Sequence, residues 1–193
     1  MFRETSVIKS ASAFIFAVIM VYYYMESKNR KGGSTVPKFF YKLKNVSRSE
    51  LIVKGICTLT LLIYLYCVLD ITLLDRTPGL HRHVLRPLWE VRTMVSSGEF
   101  TYWTGQIGGN LIMLFPLGFL LPILSDRFRS LGSALIIGFF FSFFIEFTQY
   151  YTGRGLFEAD DLLHNTLGAC AGCLVYMIIN ERLTRNENDT DYQ

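Results

Sequence analysis

The chain has 193 residues, a formal net charge of +3 and a hydrophobic fraction of 51%, so it is long enough for one domain of ordinary size. Its apolar residues are concentrated in five stretches that are each close to the length of a bilayer-crossing helix: 7–25, 51–74, 106–124, 131–151 and 162–180. Because helices satisfy their own backbone hydrogen bonds inside lipid, this pattern predicts an all-α integral membrane protein, a bundle of about five transmembrane helices. It excludes a soluble globular domain.

The first apolar stretch, 7–25, has the length of a span and no small-x-small cleavage site, so we expect it to be retained and not removed as a signal peptide. Residues 26–50 hold seven Lys and Arg against two Glu. Such a loop is typical of a cytoplasmic segment beside anionic lipid and not of a nucleic-acid site. The N-terminus is then expected outside and the C-terminus in the cytoplasm of the cell.

These features divide the chain into three predicted parts. Residues 1–50 form an N-terminal helix with its basic loop, 51–180 form a four-helix membrane domain, and 181–193 form a polar, disordered tail.

The loop between the second and third predicted spans, 75–105, carries apolar residues at steps of three and four. This pattern predicts a short amphipathic element lying on the membrane. Its apolar positions are Leu80, Val84, Leu88, Val91 and Val95; Arg86, Glu90 and Arg92 are expected to face water, with Trp89 at the headgroup level.

Small and helix-breaking residues mark the third and fifth spans. Pro116 and Gly118 fall in the middle of the third span, where the proline frees a carbonyl that neighbours must satisfy. Gly168 and Gly172 lie four residues apart in the fifth span, a spacing that lets helix backbones approach closely. The proline therefore predicts a kink in the third span, and the glycine pair predicts tight helix packing in the fifth.

Polar residues from three spans are expected at a similar depth. Glu146 lies about 9 Å below the outer end of the fourth span, at ~1.5 Å per residue, and Gln149 shares its face. By the same reasoning, Asn165 lies about 6 Å and Asn110 about 6–8 Å inside their spans. A charged group in a membrane costs a few kcal/mol and marks a functional site by default. The alternative is an internal polar staple that only holds the helices together.

The chemistry of these residues leaves several roles open. In a low-dielectric setting Glu146 suits a general acid or base, and the guanidinium of Arg154 suits an anionic group. Asp160 and Asp161 could hold a divalent cation together with Glu146 through oxygen ligands. No recognised ligand spacing is present, so no metal site and no cofactor are predicted. His164 could take part in the chemistry, and a packing or lipid-facing role fits its position equally well.

Three segments, taken in order, closely resemble the VanZ-like membrane proteins: "DRTPG", "GNLIMLFPLGFLLP" and "IEFTQYYTGRGLFEADDLLHNTLGACAG". The resemblance covers about 57–180. The chain departs from the family in the outside loop, where it has "HVLRPLW" instead of an Asn-Leu-Ile-Pro-Phe-like stretch. The matching motif residues are Asn110, Phe115, Pro116, Gly118, Glu146, Gln149, Arg154, Asp160, Asp161, Asn165 and Gly168.

The resemblance implies a multi-pass protein of the bacterial cytoplasmic membrane, associated with resistance to glycopeptide antibiotics such as teicoplanin, or with envelope homeostasis. Our first hypothesis is an outward-facing pocket that binds a lipid-linked envelope precursor or a lipoglycopeptide among membrane lipids. The ligand-binding residues would be Asn110, Gln149, Arg154 and Asn165.

Two alternatives remain at this point. One is an intramembrane enzyme that modifies an envelope lipid, with Glu146 as acid or base and Asp160 or Asp161 assisting. The other is a purely structural polar cluster. The structural motif would be Phe115, Pro116, Gly118, Gly168 and Gly172, and no oligomeric state is predicted.

Overall fold

A computed structural model of the protein describes residues 48–74 and 79–190. The first predicted span, 7–25, and nearly all of the basic loop 26–50 lie outside the described residues, as do 75–78 and 191–193.

Four long helices form most of the described chain. Helix α1 (Arg48–Leu69) continues into a π-helical turn, Asp70–Leu74. Residues Trp89–Ser97 form the short α2, and Phe100–Leu124 form α3. Helix α4 spans Leu131–Thr152, and α5 spans Ala159–Thr190. The stretches that are long and apolar enough to cross a membrane are Leu51–Leu74, Phe100–Leu124, Leu131–Thr152 and Ala159–Arg182. The predicted all-α membrane architecture is confirmed for this part of the chain.

Large apolar side chains are exposed along these helices while polar ones are buried. Ile112 is 64% and Phe140 63% exposed, whereas Glu146 is 1% and Gln149 2% exposed. Lipid is a good solvent for apolar side chains, and polar side chains are placed in the protein interior. The pattern is that of a protein whose solvent is the bilayer.

Two helix boundaries differ from the prediction. Helix α3 begins at Phe100, six residues before the predicted span at 106. The prediction began too late because the first turns of α3 contain aromatic and polar residues of low hydropathy. Helix α5 continues to Thr190, so residues 181–190 are helical where a disordered tail was predicted. Once a helix is nucleated, each added residue gains a hydrogen bond, so a polar extension is inexpensive.

By backbone contacts the chain divides into two compact units, Leu65–Tyr176 and Met1–Tyr64 with Met177–Gln193. Of the second unit the structure describes 48–64 and 177–190, the N-terminal part of α1 and the C-terminal part of α5. All polar residues of the candidate site belong to the unit Leu65–Tyr176.

A two-stranded parallel sheet joins the loop before α2 to the connection between α4 and α5. Strand β1 (Leu80–Val84) pairs with β2 (Arg154–Glu158), with Leu80 opposite Arg154 and Val84 opposite Glu158. The amphipathic element predicted from Leu80 onward is therefore wrong in its first half, and only Trp89–Ser97 is helical. A partner strand distant in sequence satisfies the backbone of β1, which a local period cannot reveal.

Helices α3 and α5 approach each other closely at glycines. A Cβ added at Gly168 would collide with the Leu111 carbonyl oxygen, and one at Gly172 would collide with that of Phe115. From the α3 side, a Cβ at Gly118 would collide with the Ala169 carbonyl oxygen. Only hydrogen fits at these positions, so the contact holds the two helices at a defined distance.

Candidate functional site

Carboxylates from four elements gather at one end of the unit Leu65–Tyr176. They are carried by α2, the end of α4, the end of β2 and the first turn of α5: Glu90, Glu146, Glu158, Asp160 and Asp161. The β1–β2 pairing brings α2 to this place, since α2 follows β1 after a short turn.

Three of these residues, Glu90, Glu158 and Asp161, form what we call the acidic cluster. One carboxylate oxygen from each lies within 4.8 Å of the others. Glu90 is buried, and the other two are half-buried. Like charges this close repel strongly in a poorly hydrated place, so the cluster requires a compensating proton or cation.

Glu90 is the buried member of the acidic cluster. Burial, followed by the charges of Asp161, Glu158 and Asp160, raises its pKa from 4.5 to about 7. The prediction that Glu90 faces water is wrong, because its side chain is 3% exposed. The periodicity assigned it to the polar face of a surface helix, whereas the start of α5 covers that face.

His164 joins the acidic cluster from the second turn of α5. Its Nδ1 lies 3.3 Å from Oε2 of Glu90, and both side chains are buried. Within the described residues, neither atom makes a hydrogen bond. Buried polar atoms without partners are rare and call for a proton, a water or an ion.

Asp160 has a structural role that the sequence did not indicate. Its side chain is completely buried; Oδ1 accepts from the backbone N–H of Leu88, and Oδ2 accepts from that of Glu90 at 3.0 Å. Leu88 precedes α2 in a left-handed conformation, φ 58°, and supplies no side-chain cap. Asp160 therefore caps α2 from another helix, and its oxygens are engaged by backbone donors.

Hydrogen bonds to backbone groups also engage the side chains of Glu146, Gln149 and Arg154. Oε2 of Glu146 accepts from the Glu158 N–H at 2.9 Å, and Nε2 of Gln149 donates to the Thr72 carbonyl at 3.0 Å. Nη1 of Arg154 donates to the Leu73 carbonyl at 2.8 Å. Carbonyls at the end of a helix need such partners. These contacts correspond to the staple alternative for these three residues.

Two side-chain donors hold the acidic cluster in place. Asn110 on α3 donates through Nδ2 to Oδ1 of Asp161, and Trp89 donates through Nε1 to Oε2 of Glu158 at 3.2 Å. The Trp89 ring meets the Trp103 ring edge-on, with centroids 5.4 Å apart. These are the two tryptophans of the chain, so both indoles report on this site.

Asn165 lies deeper than the acidic cluster. Its Nδ2 donates to the Ser142 hydroxyl on α4 at 3.0 Å, and its buried Oδ1 has no hydrogen-bond partner within the described residues. Ser142 is one helical turn below Glu146, so the polar groups extend inward from the cluster. The motif residues Phe115, Pro116 and Gly118 lie on α3 with the close helix contacts, and Gly168 and Gly172 lie opposite on α5.

The structure thus brings Asn110 and Asp161 together with residues that sequence reasoning missed, namely Glu90, Glu158 and His164 as a group. "FEADDLLH" did contain a signal, a run of acids followed by a histidine within one helical turn of Asp161. Nothing in the sequence around Glu90 indicated that this residue belongs to the acidic cluster.

Comparison with curated proteins and with solved structures found no match. The family model described as VanZ/LLP1 matches residues 56–180, a span that includes every residue of the acidic cluster. The match covers more than half of the chain, and the predicted resemblance to VanZ-like proteins is confirmed. The chain belongs to the VanZ/LLP1 family.

Proposed function

We propose that this VanZ-like membrane protein binds the polar part of a lipid-linked or amphiphilic envelope molecule at the acidic cluster. The process served would be resistance to glycopeptides such as teicoplanin, or to lipoglycopeptides, or envelope homeostasis. The observation that carries the proposal is the set of three carboxylates within 4.8 Å of one another at the end of membrane-length helices. Placing charged groups in such an environment costs free energy, which indicates that they serve a function.

The surface of α4 supports binding of a molecule that also has an apolar part. Phe139, Phe143, Phe147 and Tyr151 stack at four-residue steps, with adjacent ring centroids 6.0–6.4 Å apart. All four are exposed. Phe143 also meets Phe157 of β2 edge-on. This aromatic ridge leads toward the strand that carries Glu158, so a tail beside α4 would end with its head near the site.

The proposed ligand contacts differ from those predicted. Asn110 and Asn165 remain candidates, since the first orients the acidic cluster and the second keeps a buried oxygen for a partner. Gln149 and Arg154 donate to helix-end carbonyls, which favours a structural role for them. We place the site on the outer face of the bacterial cytoplasmic membrane, with the basic loop 26–50 inside.

A second candidate function is an enzyme that modifies an envelope lipid. The observation that favours it is Glu90 beside His164, at 3.3 Å and with the pKa of Glu90 near neutrality. A carboxyl poised near pH 7 can act as general acid or base. Glu90 is better placed for that role than Glu146, whose Oε2 is engaged by a backbone N–H.

The test uses a susceptible bacterial host that expresses the wild type, Glu158→Gln, Asp161→Asn or the control Glu99→Gln at matched membrane levels. Glu99 is an exposed carboxylate outside the acidic cluster. Teicoplanin and lipoglycopeptide susceptibility would be measured together with mass spectrometry of the envelope lipids.

We expect the wild type and Glu99→Gln to lower susceptibility, the two cluster variants to lose the effect, and the lipid profile to stay constant. A lipid species that appears only with the wild type and the control would support the enzyme. Cluster variants that protect as well as the wild type would refute both functions.

A further inference from the structure

The acidic cluster has the spacing of a cation site. Ca²⁺ binds oxygen at ~2.3–2.6 Å, so two ligand oxygens on opposite sides of one ion are at most about 5 Å apart. The ligand atoms of Glu90, Glu158 and Asp161 all lie within 4.8 Å of one another. One ion placed among them would reach all three with small side-chain movements.

A second, independent feature also points to a ligand at this position. His164 is buried, and its Nδ1 faces Oε2 of Glu90 at 3.3 Å. Neither atom has a hydrogen-bond partner among the described residues. A ring nitrogen and a carboxylate oxygen that face each other in this way are satisfied together when both bind one cation.

The surrounding donors are arranged as in metal sites. Ligating carboxylates in proteins are themselves hydrogen-bonded, which fixes their orientation. Asn110 donates to one oxygen of Asp161, and Trp89 donates to one oxygen of Glu158. Asp160 fixes the backbone of Glu90 through the caps at the start of α2. The carboxylates of Asp161 and Glu158 and the backbone of Glu90 therefore each have a partner before any ion arrives.

We propose that Glu90, Glu158 and Asp161 bind one divalent cation, and that the His164 ring, which contacts Glu90 but lies outside this group of close ligand atoms, moves to supply a nitrogen ligand. A set of carboxylates with a single imidazole suits Mn²⁺ or Zn²⁺ and also admits Mg²⁺. This goes beyond the proposed function, because the ion binds whether or not an envelope molecule follows. Sequence spacing did not predict the site, since its ligands come from α2, β2 and α5 and are brought together by the β1–β2 pairing.

The test is Mn²⁺ binding to the purified full chain in detergent, after treatment with a chelator. Free Mn²⁺ is measured by electron paramagnetic resonance, and tryptophan fluorescence is recorded in parallel because Trp89 donates to Glu158. Competition with Zn²⁺, Mg²⁺ and Ca²⁺ ranks the ions. The variants are Glu158→Gln, Asp161→Asn and His164→Gln, with Glu99→Gln as the exposed control.

We expect one Mn²⁺ per chain for the wild type and for Glu99→Gln, with quenching of the indole emission. Glu158→Gln, Asp161→Asn and His164→Gln should each bind at least tenfold more weakly. If none of these ions binds the wild type at millimolar concentration, or if Glu158→Gln and Asp161→Asn both bind as the wild type does, the inference is wrong.

Two further measurements keep the result interpretable. A wild-type melting temperature that rises with Mn²⁺, by a smaller amount in His164→Gln, supports the site even if a carboxylate variant fails to fold; no rise opposes it. If the protein binds Mn²⁺ but its expression does not change antibiotic susceptibility, the cation site is upheld and the proposed function is refuted. If the protein binds no ion but the cluster variants lose resistance, the proposed function is upheld and the cation site is refuted.

Discussion

Replacing Asp160 by alanine is expected to destabilise the protein more than any exposed carboxylate replacement. Asp160 is completely buried and accepts the backbone N–H groups of Leu88 and Glu90. Alanine leaves both donors unpaired at the start of α2 and removes what holds Leu88 in its left-handed conformation.

The magnitude follows from the two lost contacts. A hydrogen bond to a charged group contributes about 1.5–3 kcal/mol, so their loss costs about 3–6 kcal/mol. Removing the Asp160 charge also relieves some repulsion of the Glu90 carboxylate, which offsets part of this loss. The offset is small, because Asp160 contributes less than Asp161 or Glu158 to raising the pKa of Glu90. A net loss of about 3 kcal/mol lowers the melting temperature by about 6–12 °C for a chain of this size.

Thermal unfolding in detergent, followed by the fluorescence of Trp89 and Trp103, measures this effect. The control is Asp126→Ala, since Asp126 forms an exposed ion pair with Arg129 at 2.9 Å that is worth less than about 1 kcal/mol. Asp160→Asn, which keeps one acceptor oxygen, should fall between the two. If Asp160→Ala melts within about 2 °C of the wild type, the capping argument fails.

Three further outcomes follow from the structure. In buffer with chelator, stability should fall as pH rises from 4.5 through about 7, because the folded-state pKa of Glu90 exceeds its unfolded value; the fall reaches about 3 kcal/mol and is absent in Glu90→Gln. Gly168→Ala should cost about 1–3 kcal/mol by overpacking against α3, whereas Gly109→Ala, which meets open space, should be nearly neutral. Gln149→Leu should cost about 1–3 kcal/mol because the buried Thr72 carbonyl loses its donor.

Each of these has a clear contrary result. The pH effect is measured as melting temperature at pH 5 and pH 8, and a wild type that is equally stable at both would contradict the burial of a repelled Glu90 carboxylate. Membrane yield and melting temperature test the other two. A Gly168→Ala protein as stable as Gly109→Ala would show that the helix contact is loose, and a neutral Gln149→Leu would show that water replaces the amide.

The amino-acid sequence by itself determined the membrane class, the positions of four spans and the family. The span predicted at 51–74 coincides with the structure, and those at 131–151 and 162–180 differ by no more than three residues at either end. This succeeded because hydropathy is a sum over consecutive residues and needs no knowledge of neighbours. Burial of Glu146 and Gln149 followed from the same local argument, since a polar residue inside a span turns inward.

Tertiary structure alone decided which polar residues share a site. The bonds that define it join residues far apart in the chain: Leu88 to Asp160, Trp89 to Glu158 and Glu90 to Asp160 are separated by 72, 69 and 70 positions. The period of the segment around Glu90 predicted a water-facing carboxylate, and the pairing of β1 with β2 buried it instead. The spacing of polar and apolar residues predicts which face of a helix is turned to water. It does not predict which distant element packs against that face, because that depends on the packing of the whole unit.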